Sequence, residues 1–171
     1  KILPDVKLIL MMRNPVERTF SQYRRQVRHG RQNLSFEEVL EQEHHLFEKE
    51  FQQFLENDEL EKDVDVTISY LARSRYVEAL ERWLEYFDKS HFLFLNSDEY
   101  FKNPLDEYNR VLNFLELPSH NPTITGKRGI SPPGIYKNIQ LDDETREKLK
   151  NYFEPYNKKL FNLIDEKFDW D

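Results

Sequence analysis

The hydrophobic positions at the start of the chain form a near-continuous run without alternation. The run covers residues 6–12, and such runs are typical of a parallel strand that is covered on both faces. Asn14 and Pro15 follow as helix-start residues. Apolar or aromatic side chains then recur at three- and four-residue steps, namely Val16, Phe20, Tyr23 and Val27, before Gly30. The first predicted unit is therefore a strand, a turn and a helix that ends near Gly30.

Helical and strand patterns alternate along the middle of the chain. Ser35 and Glu38 have the spacing of a capping box, which predicts the start of a second helix. Aromatic and leucine side chains at helical spacing predict a third helix over residues 76–87, and the apolar neighbours of Trp83 predict that its side chain lies in the core. The apolar run at residues 91–96 predicts a second short strand.

The C-terminal part of the chain is predicted to be helical apart from one long loop. Pro104 predicts the start of a fourth helix, residues 119–140 form a loop rich in proline and glycine, and Asp142 is placed to cap a final helix. Strands that alternate with helices indicate an α/β domain with a parallel sheet. No repeat or internal boundary is visible, so residues 1–171 are predicted to form a single domain.

The composition excludes several classes of protein. The 171 residues carry a formal net charge of −7 and include no cysteine, which excludes disulfides, thiolate metal sites and a cysteine nucleophile. No apolar run reaches the roughly 20 residues that span a bilayer, and the sequence predicts no metal site. The acidic total also disfavours a nucleic-acid partner.

The charge is distributed unevenly, and this changes the meaning of the acidic total. Residues 37–65 are dense in acids, a pattern typical of a solvated helical face and loop. A cationic cluster occupies residues 13–31; its members are Arg13, Arg18, Arg24, Arg25, Arg28, His29 and Arg31. A concentrated cationic segment in an acidic chain is a candidate binding surface for an anion.

The position of Arg13 makes it the leading candidate in this cluster. Arg13 is predicted at the carboxyl end of a strand, where open α/β sheets bind ligands, and just before a helix N-terminus, which favours anions. Ser21 lies two helical turns further on, and an arginine fork suits phosphate or sulfate. The alternative is that Arg13 pairs with a carboxylate and the other arginines form a solvated face.

A second cationic candidate lies in the predicted loop. Lys127 and Arg128 stand between Gly126 and Gly129, an arrangement that can bring backbone amides and positive charge to a phosphate. A surface turn is the alternative interpretation of this segment.

Three segments together resemble PAPS-dependent sulfotransferases, where PAPS is 3′-phosphoadenosine 5′-phosphosulfate. Residues 13–23 are similar to the segment that binds the 3′-phosphate of the donor in that family. Residues 76–96 resemble the middle of the heparan-sulfate type of sulfotransferase domain, and residues 151–170 resemble its C-terminal helix and tail. The resemblance therefore extends over nearly the whole chain.

The resemblance implies a fold and a set of binding residues. The fold would be a P-loop-NTPase-like parallel sheet flanked by helices. Arg13 and Ser21 would bind the 3′-phosphate of PAPS, and the loop of Lys127, Arg128 and Gly129 would contact phosphate, although its residue order differs from the family's. Candidate acceptor contacts are Arg25 and His29. Tyr76 matches a recurring family tyrosine, which packing explains equally well.

Two family features are missing from this sequence. Relatives hold the 5′-phosphosulfate in a Gly/Ser/Thr-rich loop that carries a catalytic lysine, with a general base soon after, and none of the four glycines here forms such a loop. We therefore expect an N-terminally truncated, helix-rich domain that is inactive alone and whose catalytic residues precede it. Golgi relatives carry a cysteine pair, so the absence of cysteine favours a bacterial cytoplasm over the Golgi lumen.

The leading hypothesis is an enzyme that moves a sulfuryl group from PAPS to a hydroxyl or amine of a glycan or small metabolite. One alternative is a non-catalytic nucleotide- or anion-binding remnant that acts as a protein-interaction domain. Another is a different nucleotide-binding α/β transferase, such as part of a kinase. The identity of the acceptor and the oligomeric state stay open.

Overall fold

The computed structural model describes residues 5–43, 69–120, 122 and 139–170, which form two compact units. We call them the strand unit and the helix unit. The strand unit contains the described residues of the ranges 1–14, 76–132 and 155–171. The helix unit contains those of the ranges 15–75 and 133–154.

Helices dominate the described residues. In chain order the elements are β1 (Leu8–Met12), α1 (Pro15–Arg28), α2 (36–43, where the described segment stops), α3 (Tyr76–Leu84), β2 (Phe92–Asn96), α4 (Ser97–Lys102), α5 (Pro104–Phe114) and α6 (Asp143–Ile164). Short 3-10 turns precede α3 and β2, at Ala72–Ser74 and Lys89–His91. Within this part of the chain, no helix has both the length and the apolar character to cross a membrane.

The strand unit is built around the pairing of β1 with β2. The two strands run parallel, and their register extends from Leu8 opposite Phe92 to Met12 opposite Asn96. Both strands and their parallel direction agree with the sequence prediction. The buried core of this unit consists of Met12, Val77, Leu80, Phe94, Leu160, Ile164, Phe168 and Trp170.

Two predictions about burial in the strand unit differ from the structure. Ile9 and Met11 are 43% and 48% exposed, so in the described residues β1 is not covered on both faces. Trp83 is 50% exposed, and the prediction that it lies in the core is wrong. On α3 the buried residues are Val77 and Leu80, whereas the ring of Trp83 stacks on that of Phe87, with ring centres 5.8 Å apart.

The helix unit has its own core, formed where the apolar face of α1 packs against other helical residues. Its buried members are Val16, Phe20, Tyr23, Phe36, Val39, Tyr70, Leu71, Leu149 and Phe153. The predicted helix boundaries are confirmed here. Gly30, with φ at +65°, follows the end of α1. The N–H of Ser35 donates to the Glu38 carboxylate (2.7 Å), and the N–H of Glu38 donates to the Ser35 hydroxyl (3.2 Å).

Buried hydroxyl groups fasten α1 to the turn that precedes α3. Thr19 is fully buried, and its hydroxyl lies 2.8 Å from that of Ser74. The Ser74 hydroxyl donates to the Tyr70 carbonyl oxygen (3.0 Å). The Arg18 guanidinium donates to the Ser74 hydroxyl (3.2 Å), so this arginine of the cationic cluster has a partner within the fold.

The carboxylate of Glu43 organises the same turn from the other side. Its two oxygens accept hydrogen bonds from the backbone N–H groups of Tyr70 (2.8 Å), Leu71 (2.8 Å) and Ala72 (3.2 Å), and the residue is only 4% exposed. Burial raises the pKa of Glu43 above its ordinary value, while the three N–H groups and the charge of Arg75 act in the opposite direction. This carboxylate therefore holds the backbone of residues 70–72 in place at the start of the turn.

We predict that Glu43→Gln destabilises the protein by about 1–3 kcal/mol, because the amide nitrogen of glutamine cannot accept a hydrogen bond, whereas both side-chain oxygens of Glu43 accept hydrogen bonds from backbone N–H groups. Chemical denaturation measures this loss, and Glu41→Gln, at an exposed position of α2, is the matched control.

The stability difference should also depend on pH. Since folded Glu43 holds its proton more tightly than the unfolded chain does, its contribution to stability is largest below the ordinary glutamate pKa. The unfolding free energy of the wild type minus that of E43Q should therefore decrease from about pH 4 to pH 7. An increase over this range would contradict the raised pKa.

Candidate functional site

Arg13 lies where the sequence places it, directly after the last residue of β1 and just before Pro15 begins α1. Its side chain is half-buried. In the ladder, Met12 stands opposite Asn96, so the position after β1 lies at the carboxyl edge of the parallel pair. This is the edge at which open α/β sheets place their ligands, and a guanidinium there supplies a positive charge with a planar set of donors.

The backbone of Arg13 is held by Tyr76, the first residue of α3. The N–H of Arg13 donates to the Tyr76 hydroxyl (3.2 Å), and that hydroxyl donates to the Arg13 carbonyl oxygen (3.0 Å). The side-chain nitrogen of Asn14 donates to the Trp170 carbonyl oxygen (2.8 Å). The sequence singled out Tyr76 only as a family residue that packing could explain, and it missed these contacts.

The end of β2 adds small polar groups at the same edge. The side chain of Asn96 accepts a hydrogen bond from the N–H of Asp98 (3.0 Å) and so caps α4. The hydroxyl of Ser97 is buried and has no hydrogen-bond partner within the described residues. The elements predicted from the sequence do not include α4, although the Asn-Ser-Asp order after an apolar strand is a helix-start signal.

The other candidates on α1 belong to the helix unit. Ser21 and Arg25 are exposed and lie four residues apart on the solvent-facing side of α1. His29 is also exposed and is the first residue after α1, where its N–H donates to the Arg25 carbonyl oxygen (3.1 Å). Arg24 lies with its guanidinium 5.9 Å from the centre of the Phe20 ring. The cationic cluster therefore divides into residues that contact the fold, such as Arg18 and Arg24, and residues such as Arg25 that face solvent.

The structure thus locates four of the predicted binding residues. Arg13 is in the strand unit, and Ser21, Arg25 and His29 are in the helix unit. The predicted phosphate loop of Lys127, Arg128 and Gly129 lies outside the described residues. Ser21 and Arg25 share one exposed face of α1, and His29 follows directly after the end of that helix.

Comparison with known proteins connects this geometry to one family of enzymes. The mouse heparan sulfate glucosamine 3-O-sulfotransferase 6 is 26% identical over 98% of this chain and 50% of its own length. Human carbohydrate sulfotransferase 15 is 25% identical over 98% of this chain and 31% of its own length. The chain therefore spans half the length, or less, of these relatives.

A solved structure shows the same fold. The crystal structure of a sulfotransferase from Alicyclobacillus acidocaldarius superposes with a TM-score of 0.73 and 25% identity, over 96% of this chain and 57% of the other. The α/β class with a P-loop-like parallel sheet is thereby confirmed. The family model described as "Sulfotransferase domain" matches residues 2–128, which is most of the chain. The chain belongs to the sulfotransferase domain family.

Proposed function

We propose that this chain is part of an enzyme that transfers a sulfuryl group from 3′-phosphoadenosine 5′-phosphosulfate to a hydroxyl or amine of a glycan or a small metabolite. The observation that carries the proposal is the position of Arg13 in a member of this family. A guanidinium follows the carboxyl end of a parallel strand and lies two residues before the start of a helix of 14 residues. That position combines a fixed positive charge with the anion preference of a helix N-terminus.

The donor would be recognised through its 3′-phosphate. Arg13 would contribute charge-assisted hydrogen bonds from its planar fork, and the hydroxyl of Ser21 would contribute a further donor. Both assignments follow from the similarity of residues 13–23 to the family's phosphate-binding segment. Ser21 is exposed, which is compatible with ligand access. The loop of Lys127, Arg128 and Gly129 is proposed as a further phosphate contact.

The reaction would be an in-line displacement at sulfur. An acceptor oxygen or nitrogen forms a bond to sulfur while the bond from sulfur to the bridging phosphate oxygen breaks, and 3′-phosphoadenosine 5′-phosphate (PAP) leaves. A base takes the acceptor proton, and cations stabilise the charge on the transferring group. Because we assign neither the base nor the catalytic lysine to a residue of this chain, a measurement of nucleotide binding tests the proposal more directly than a measurement of turnover.

The acceptor is proposed to be a glycan on the basis of two relatives. One is named for heparan sulfate glucosamine and the other for carbohydrate. Arg25 and His29 are the proposed contacts, because Arg25 is exposed on the same side of α1 as Ser21 and His29 is exposed just after the helix ends. Exposed cationic and hydrogen-bonding side chains at the end of a helix suit a polar or anionic sugar chain.

We predict that Arg13→Ala weakens binding of PAP by about 1.5–3 kcal/mol, which is roughly a 10- to 150-fold rise in Kd. Arg13→Lys should restore only part of the affinity, because the bidentate fork is lost. Isothermal titration calorimetry on the folded variants measures both effects.

The matched control for this prediction is Arg82→Ala, which removes an exposed guanidinium from α3 in the same unit. Its affinity for PAP should equal that of the wild type. Unchanged affinity in folded R13A would overturn the assignment of Arg13.

We predict that the double variant Arg25→Ala with His29→Ala binds heparan sulfate oligosaccharides about 3- to 30-fold more weakly at low salt, the scale of one or two solvent-exposed ionic contacts. Its affinity for PAP should stay at the wild-type value. The control is the double variant Lys148→Ala with Lys150→Ala, whose ammonium groups already pair with Glu144 and Glu147 on α6. Equal losses of oligosaccharide binding in both double variants would indicate nonspecific attraction and contradict a specific role for Arg25 and His29.

A further inference from the structure

One hydroxyl group satisfies both backbone polar groups of Arg13. The Tyr76 hydroxyl accepts a hydrogen bond from the Arg13 N–H at 3.2 Å and donates one to the Arg13 carbonyl oxygen at 3.0 Å. A phenol has one proton to donate and lone pairs to accept with, so a single tyrosine can form this pair of bonds and a phenylalanine cannot. The two bonds together restrain both backbone torsions of Arg13.

The position of Arg13 explains why such a restraint matters. Arg13 follows the last residue of the β1 ladder and lies two residues before the first residue of α1. Neither strand pairing nor helical hydrogen bonding therefore fixes the backbone of Arg13. Pro15 removes one N–H from the helix start and restricts the backbone of Asn14. The direction in which the Arg13 side chain leaves the turn depends on contacts from elsewhere in the fold.

The C-terminal tail holds Tyr76 and the turn together. The Tyr76 ring lies against the indole of Trp170, with ring centres 5.9 Å apart, and the Trp170 carbonyl oxygen accepts the hydrogen bond from the Asn14 side chain. Trp170 is 8% exposed and packs on Phe161 and Phe168 at 5.2 and 5.3 Å. The aromatic cluster thus anchors the tyrosine whose hydroxyl restrains Arg13.

We propose that Tyr76 is a positioning residue for the donor site, whose hydroxyl aims the Arg13 guanidinium at the 3′-phosphate of the nucleotide. The inference rests on the proposed function, because it assumes that Arg13 binds that phosphate. Tyr76 acts through the backbone of Arg13 and needs no contact with the nucleotide. Loss of its hydroxyl should therefore weaken recognition of the 3′-phosphate and leave recognition of the rest of the nucleotide unchanged.

The test is Tyr76→Phe, which keeps the ring against Trp170 and removes only the hydroxyl. We expect the Kd for PAP to rise about tenfold, the scale of one or two neutral hydrogen bonds. The Kd for adenosine 5′-phosphate, which lacks the 3′-phosphate, should not change. A smaller folded fraction would weaken the apparent binding of both nucleotides equally, so the ratio of the two Kd values separates positioning from stability. The matched control is Tyr86→Phe at a 70% exposed position of the same unit, which should leave both Kd values unchanged.

A double-mutant cycle with Arg13→Ala completes the design. If Tyr76 acts through Arg13, Tyr76→Phe should have no further effect on PAP binding once Arg13 is alanine. Wild-type binding in R13A would refute the proposed function itself. Weak binding in R13A with wild-type binding in Y76F would overturn the positioning role alone. Equal losses for both nucleotides in Y76F, or a full additional loss in the R13A background, would also overturn it.

Discussion

The parallel pairing of β1 with β2 is the constraint on which the strand unit and its candidate site depend. Parallel strands end at the same edge, so the register from Leu8–Phe92 to Met12–Asn96 brings the residue after β1 to the edge where β2 also ends. Parallel strands also require a long connection between them, and α3 lies within that connection. The first residue of α3 is Tyr76, which holds the backbone of Arg13. The connection that parallel pairing requires therefore also contains the residue that holds the turn at Arg13.

In the helix unit, α1 is held through its buried face and exposes polar side chains on the opposite face. The buried side of α1 carries Val16, Phe20 and Tyr23, and buried Thr19 is bonded to the turn at Ser74. The exposed residues of α1 include Ser21 and the arginines of its last two turns, Arg24, Arg25 and Arg28. The net charge of −7 conceals this arrangement, because the cations cluster on one segment of an acidic chain.

The sequence predicted the features that follow from local rules. Ser35 with Glu38 and Asp142 with Thr145 make the predicted capping bonds, and Gly30 follows α1 with a positive φ. These signals succeed because capping and left-handed turns are decided within a few residues.

The failures are features that depend on distant residues. Tyr76 meets Arg13 across 63 positions, and Glu43 meets Leu71 across 28, so neither contact leaves a local pattern. The apolar neighbours of Trp83 predict a core position, but its burial depends on which face of α3 the rest of the fold covers, and its side chain is 50% exposed. Family resemblance predicts a phosphate-binding role for residues 13–23, but the hydrogen bonds that hold Arg13 could be seen only in the structure.

The central claim is that this chain recognises the 3′-phosphate of an adenine nucleotide. The most direct measurement is isothermal titration calorimetry of the wild-type chain with PAP, ADP and ATP under one set of conditions. The account predicts that PAP binds more tightly than ADP or ATP, because only PAP offers a phosphate at the 3′ position. Binding of ADP as tight as that of PAP would contradict it and would favour another nucleotide-dependent transferase.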